Sequence, residues 1–170
     1  MARSDLTAAI LRAMLDYNPD TGHFTWRHGC ARPKLAGRRA GHLGKSGGMA
    51  GYRVICFGLY GTWNESRLAW LHHYGTLPAT FVDHINGMRD DNRIANLRDV
   101  TIAQNFQNIK RARKQNKSGY LGVTTQGPRS FRAEIEVNTV RHYIGHFTCP
   151  KAAHEAYLEA KRRLHSTCTI

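Results

Sequence analysis

Four side chains in FVDHINGMRDDNRIANLRDVTIAQN, residues 81–105, suit chemistry on a phosphate: Asp83, His84, Asn96 and Asn105. The segment carries four aspartates and four asparagines around a single histidine, more turn-forming residues than one turn needs. Asp83 offers a carboxylate and Asn105 a carbonyl oxygen. Those are the donors that a hard divalent cation takes, Mg²⁺ first and Mn²⁺ second. Two protein oxygens leave such a site short of negative charge, and a substrate phosphate would complete it. His84, titrating near neutrality, can take a proton from water. A bound cation stabilises a pentavalent phosphate and its departing oxygen. The three roles together fit phosphodiester hydrolysis. The plainer alternative is an Asp83–His84 salt bridge or surface pair, with Asn96 and its neighbours bonding their own backbone in a loop.

The elements that would position these groups follow from pattern. Ala79 to Val82 reads as a short strand leading into Asp83-His84, whose side chains alternate and so flank a group at the strand's end. Asn86-Gly87 begins a turn, and Met88 to Ala95 is a polar loop in which Asn86, Asp90, Asp91 and Asn92 shape the path. Leu97 to Val100 returns as a second strand. Thr101-x-x-Gln104 is a capping-box pattern opening a helix. Ile102, Phe106 and Ile109 share one face of it and are expected to pack inward, with Asn105 and Asn108 on another.

Upstream, residues 4–16 read as a helix capped by Ser4, followed by a turn over Tyr17–Gly22 and a short strand over His23–Arg27. Residues 29–51 are rich in Gly, Arg and Lys and read as a flexible basic loop that can follow a phosphate backbone. GHLGKSGG within it is not a P-loop, because the spacing requires glycine where Arg39 stands. Tyr52–Phe57 and Leu59–Trp63, split by Gly58, suggest a hairpin. Asn64 then caps a helix that stops at Gly75.

Downstream, KRARKQNK at residues 110–117 has no apolar periodicity. It is a solvated linker or, through Lys110, Arg111, Arg113, Lys114 and Lys117, a phosphate-contacting one. From Gly119 the period changes to two. Leu121–Thr125, Phe131–Val137 and Val140–His146 read as strands, with turns at Gly127-Pro128 and Asn138-Thr139. A last helix starts near Pro150 and presents Ala152, Ala153, Ala156, Tyr157, Ala160 and Leu164 to the sheet. The fold class is therefore α+β. The expected organisation is a helix and basic loop (1–50), a ββα core (51–114), a linker end (115–118) and a sheet-plus-helix domain (119–170).

The 170 residues carry a formal net charge of +13, with a pI near 10.1, which implies a polyanionic partner, nucleic acid by default. No apolar run approaches a membrane span, and Arg12 interrupts the only apolar stretch of the N-terminus, so neither a membrane nor a secretory route is expected. The four cysteines are scattered without zinc-finger spacing, so no structural zinc is expected and the setting is a reducing cytoplasm.

Residues 67–105, with D-H-I-N-G, D-N-R-I-x-N-L-R and T-x-x-x-N in order, resemble the HNH homing-endonuclease family common in phages and mobile introns. The resemblance implies a metal-dependent DNA endonuclease with a ββα-metal core. It implies His84 as general base, Asn96 as the central asparagine bracing the loop, and Asp83 and Asn105 as cation ligands. Double-stranded DNA is the implied partner, and one site per chain favours a nicking monomer over a dimer. For a phage protein the site of action is the host cytoplasm.

Residues 119–164 resemble the AP2 DNA-binding domain, whose three-stranded sheet enters the major groove. The matching contact positions are Thr124, Gln126, Arg132, Arg141 and Tyr143. The chain departs from the family at Leu121, Thr124, Glu134 and Glu136, places that are usually basic. Either the outward glutamates accept from cytosine amino groups, or this domain binds weakly and the linker carries more of the affinity. The alternatives to a nuclease are a DNA-binding protein with a decayed site and, less well supported for want of an aromatic stacking motif, an RNA-directed enzyme.

Overall fold

Leu11, Leu15, Phe24 and Leu68 are wholly excluded from solvent, and around them the first part of the chain is built. The protein was analysed as a computed structural model that describes residues 6–30, 32–165 and 168. The chain forms two compact units, Met1–Thr101 and Ile102–Ile170.

In the first unit α1 (Ala8–Met14) is capped by Thr7, whose hydroxyl accepts from the Ile10 amide at 3.3 Å. The Ser4 cap expected from the sequence lies outside the described residues. The helix also ends earlier than its periodicity indicates. Leu15–Asn18 leaves it as β1 and pairs antiparallel with β2 (His23–Trp26), from Leu15 opposite Trp26 to Asn18 opposite His23. Asn18 precedes Pro19 and is disfavoured in helix, and pairing satisfies the backbone that the helix gives up.

Residues 29–51 are more ordered than their composition suggests. They bury Cys30 and Ala40 and contribute β3 (His42–Leu43), which pairs with β4 (Arg53–Cys56). β4 pairs in turn with β5 (Thr62–Asn64), giving the hairpin read from the sequence with its second strand shortened by a 3-10 turn at Gly58–Tyr60. α2 (Glu65–Tyr74) follows, and Gly75 closes it. Asn64 occupies the cap position, but its side chain makes no capping bond and its Oδ1 is buried without a partner. β6 (Phe81–His84) and β7 (Leu97–Val100) form an antiparallel pair with Val82 and Leu97 turned to the core. Bonds from the Ala79 amide to Asp99 Oδ2 (2.8 Å) and from the Thr80 hydroxyl to the Val100 carbonyl (2.7 Å) extend the pairing.

The second unit begins with α3 (Ile102–Gln107). The helix has only six residues, and Ile102, Phe106 and Ile109 stand exposed while Gln107 and Asn108 are buried. The apolar repeat of this helix is therefore not a core face, contrary to the sequence expectation. β8 (Val123–Gly127), β9 (Ser130–Val137) and β10 (Val140–Phe147) form an antiparallel sheet in the order β10-β9-β8. α4 (Pro150–Leu164) lays Ala153, Tyr157 and Ala160 on Val123, Ala133 and Ile135. Proline in the first turn of α4 costs no hydrogen bond.

Candidate active site

β6 carries Asp83 and His84 side by side, opposite Arg98 and Leu97 of β7. Both are buried, at 8% and 4% exposure, so neither is a surface pair. Asp83 is held by Arg98 of β7. Its Oδ2 accepts from Arg98 Nη2 at 2.7 Å and Nε at 2.9 Å.

The loop joining the strands is tied by Asn96. The Asn96 Nδ2 donates to the Asp91 carbonyl (2.8 Å) and to Asn86 Oδ1 (3.1 Å), and its Oδ1 accepts from the Asn86 amide (3.0 Å). The Ile85 amide donates to the Asn96 carbonyl at 2.9 Å. Asn86 makes the local turn, its Oδ1 accepting from the Met88 amide at 2.8 Å and Gly87 donating back to the His84 carbonyl at 2.8 Å. Asp91 pairs with Arg93 at 2.6 Å and accepts from Asn86 Nδ2 at 2.7 Å; the Arg93 bond first of all brings its pKa down to about 2. Asn86 and Asp91 thus shape the turn as their types suggest.

Asn92 does something else. It is 2% exposed, and its Oδ1 lies 3.1 Å from His84 Nε2. Its Nδ2 donates to Glu65 Oε2 at 3.1 Å. Glu65, wholly buried at the start of α2, accepts from Arg53 Nε of β4 at 3.1 and 3.3 Å. Arg53 Nη2 donates to the carbonyls of Gly41 (3.1 Å) and Ala40 (3.3 Å). A run of three side chains, Asn92, Glu65 and Arg53, therefore leads away from His84. Burial, above all, lowers the pKa of His84, with the Asn92 bond and then Asp83 acting against it. Burial likewise raises the pKa of Glu65, against Arg53.

Two glycines allow this approach. At Gly22 (φ +72°) a Cβ would stand 2.5 Å from the Arg93 amide nitrogen and the Asn92 carbonyl carbon, so the β1–β2 turn sits directly on the loop. At Gly41 (φ +78°) a Cβ would stand 2.6 Å from Glu65 Oε1. The Tyr17 hydroxyl donates to the Asn92 carbonyl at 2.7 Å, and the Ile94 amide to the Pro19 carbonyl at 3.1 Å. The N-terminal hairpin is thus a wall of the site. The sequence reading gave Arg53 and Glu65 no part in the site and Asn92 only a part in shaping the turn. One signal was available: Glu65 is the single acidic residue between Asp20 and Asp83.

Asp83 and His84 end β6, and Asn96 stands directly before β7, its carbonyl accepting from the Ile85 amide. Asn105 lies in α3, in the second unit, and is half-buried. Among the described residues no group of three or more His, Cys, Asp or Glu side chains is placed to hold a metal ion. A cation at Asp83 would rely on that one acid and on oxygens from outside the protein, hard donors that suit Mg²⁺ better than Zn²⁺.

In the basic run of residues 110–117, Arg111, Arg113, Lys114 and Lys117 are exposed and Lys110 is half-buried. Thr124 stands opposite Arg132 on the sheet, Tyr143 opposite Glu134 and Arg141 opposite Glu136; Gln126 is exposed at a bulge. Both glutamates face arginines. Arg132 bonds Glu134 and lies 5.6 Å from the Tyr143 ring centre, and Arg141 Nε is 3.6 Å from Glu136.

A family model described as HNH endonuclease matches residues 66–107, about a quarter of the chain, from α2 through β6 and β7 to α3. No curated protein and no solved structure matches the chain. The family match supports an HNH nuclease. Among the described residues no helix is long and apolar enough to cross a membrane.

Proposed function

We propose that the protein is a divalent-metal-dependent DNA endonuclease of the HNH homing type. The observation that carries this reading is the buried pair Asp83-His84, with His84 Nε2 bound to a side-chain amide and the flanking loop tied by Asn96, all inside the matched span. Burial disfavours the imidazolium, so His84 is a neutral acceptor at the pH where a general base must work. In this reading His84 accepts a proton from the attacking water. Asn96 keeps the loop, and with it the backbone at His84, in one conformation. Asp83 would hold the cation, Mg²⁺ or Mn²⁺, which when bound would supply charge stabilisation at the phosphate. Arg98 keeps Asp83 oriented.

The linker cations contact the phosphate backbone. The second unit reads DNA through its sheet in the AP2 manner, with Thr124, Gln126, Arg132, Arg141 and Tyr143 as contacts. The Glu–Arg pairing supports the weaker-binding alternative for that sheet, because each glutamate is already occupied by a cation rather than presented to a base. The test is incubation of the full chain with supercoiled plasmid in Mg²⁺, in Mn²⁺ and in EDTA. Metal-dependent nicks ending in 5′-phosphate and 3′-hydroxyl are expected. DNA binding without cleavage in either metal would overturn the reading in favour of a decayed site.

A further inference from the structure

A histidine that takes a proton from water must offer a nitrogen lone pair, and the neutral ring has one. Which nitrogen carries it is set by the bond the other makes. At His84 that bond runs from Nε2 to Asn92, and an amide can present either its oxygen or its NH₂. Here the sense is determined from behind. Arg53 is donor-only and meets both oxygens of Glu65, which keeps that carboxylate an acceptor. Glu65 therefore takes an N–H from Asn92, and the Asn92 carbonyl oxygen must face His84.

We propose that Arg53, Glu65 and Asn92 are positioning residues that set the ring orientation and tautomer of His84: Nε2 carries the hydrogen, and Nδ1 carries the ring's lone pair. This rests on the nuclease reading for its kinetic consequence but not for its chemistry. The relay draws on three separate elements, β4, the start of α2 and the β6–β7 loop. Arg53 and Glu65 lie outside the span matched by the nuclease family model. The relay is almost dry, with Glu65 at 0%, Asn92 at 2% and His84 at 4% exposure, so no water competes to reset the amide.

The experiment has a spectroscopic and a kinetic arm. Long-range ¹⁵N–¹H correlation on the wild-type chain, at a pH where His84 is neutral, should show the Nε2–H tautomer. Asn92→Leu, confirmed folded by circular dichroism, should lower kcat for plasmid nicking by ~100-fold or more with the KM for DNA changed less than about threefold. Asn92→Asp alone sets a carboxylate against Glu65 and should be similarly poor. Adding Glu65→Gln turns an N–H toward that carboxylate and leaves Oε1 to accept from Arg53, and should recover kcat to within about tenfold of wild type. An Nδ1–H tautomer in the wild type, a folded Asn92→Leu chain with unchanged kcat, or a double variant no better than Asn92→Asp would each overturn the relay. Were the wild-type chain to cut no DNA, the nuclease reading would fail and the tautomer would still decide the relay.

Discussion

Arginine–glutamate pairs occur in both units, and they do different work. In the first unit Arg53 and Glu65 meet at 3.1 Å with side chains 15% and 0% exposed. In the second unit Arg141 and Glu136 stand 3.6 Å apart with side chains 75% and 59% exposed. In the dry setting the pair dictates the orientation of an amide and, through it, of a histidine. In the wet setting it neutralises charge on a sheet face. Burial, not residue type, separates a positioning device from a modulator of affinity.

The comparison can be broken most sharply at Arg53. Arg53→Ala leaves Glu65 buried without its cation and should destabilise the first unit by about 3–5 kcal/mol, read by urea unfolding. A loss below about 1 kcal/mol, the surface value, would erase the contrast between the units.

On the sheet the expected effect is on binding. Replacing both Glu134→Gln and Glu136→Gln releases Arg132 and Arg141 toward phosphate. DNA affinity should rise several-fold at low salt, and the slope of log K against log salt should steepen by up to about 2. An unchanged slope in fluorescence anisotropy titrations would remove this sheet from the DNA interface.

The smallest effect concerns acid. The folded pKa of Asp91 lies near 2, below its ordinary value of 3.8. Its stabilisation of the loop is therefore complete above pH 3.8 and lost as pH falls toward 2. Asp91→Asn should flatten the melting temperature over that window relative to wild type. An equal slope in both chains would locate the acid sensitivity elsewhere.

Local pattern revealed much of this molecule. The short strand at 97–100, the alternation over residues 131–137, the Asn64-to-Gly75 helix and the Asn86-Gly87 turn all depend on neighbours in sequence, and they are read correctly. The regions that differ depend on distant partners. Leu15 and Asp16 continue a helical pattern but form a strand because His23–Trp26 lies alongside. Ile102, Phe106 and Ile109 carry a helical stripe that nothing in six residues of helix requires to be buried. The site divides the same way. The spacing of His84 and Asn96 lies within one loop and was legible. Asn92 was one asparagine among several, and its partners Glu65 and Arg53 stand 27 and 39 positions away, linked only through folding.

The central claim is that His84 is the base of a DNA-cutting site. It is tested most directly by comparing wild type and His84→Ala on one supercoiled plasmid in Mg²⁺, with DNA affinity measured in parallel. The account predicts a loss of nicking of about 10²–10⁴-fold with affinity unchanged within a few-fold. Nicking by His84→Ala at the wild-type rate would contradict it.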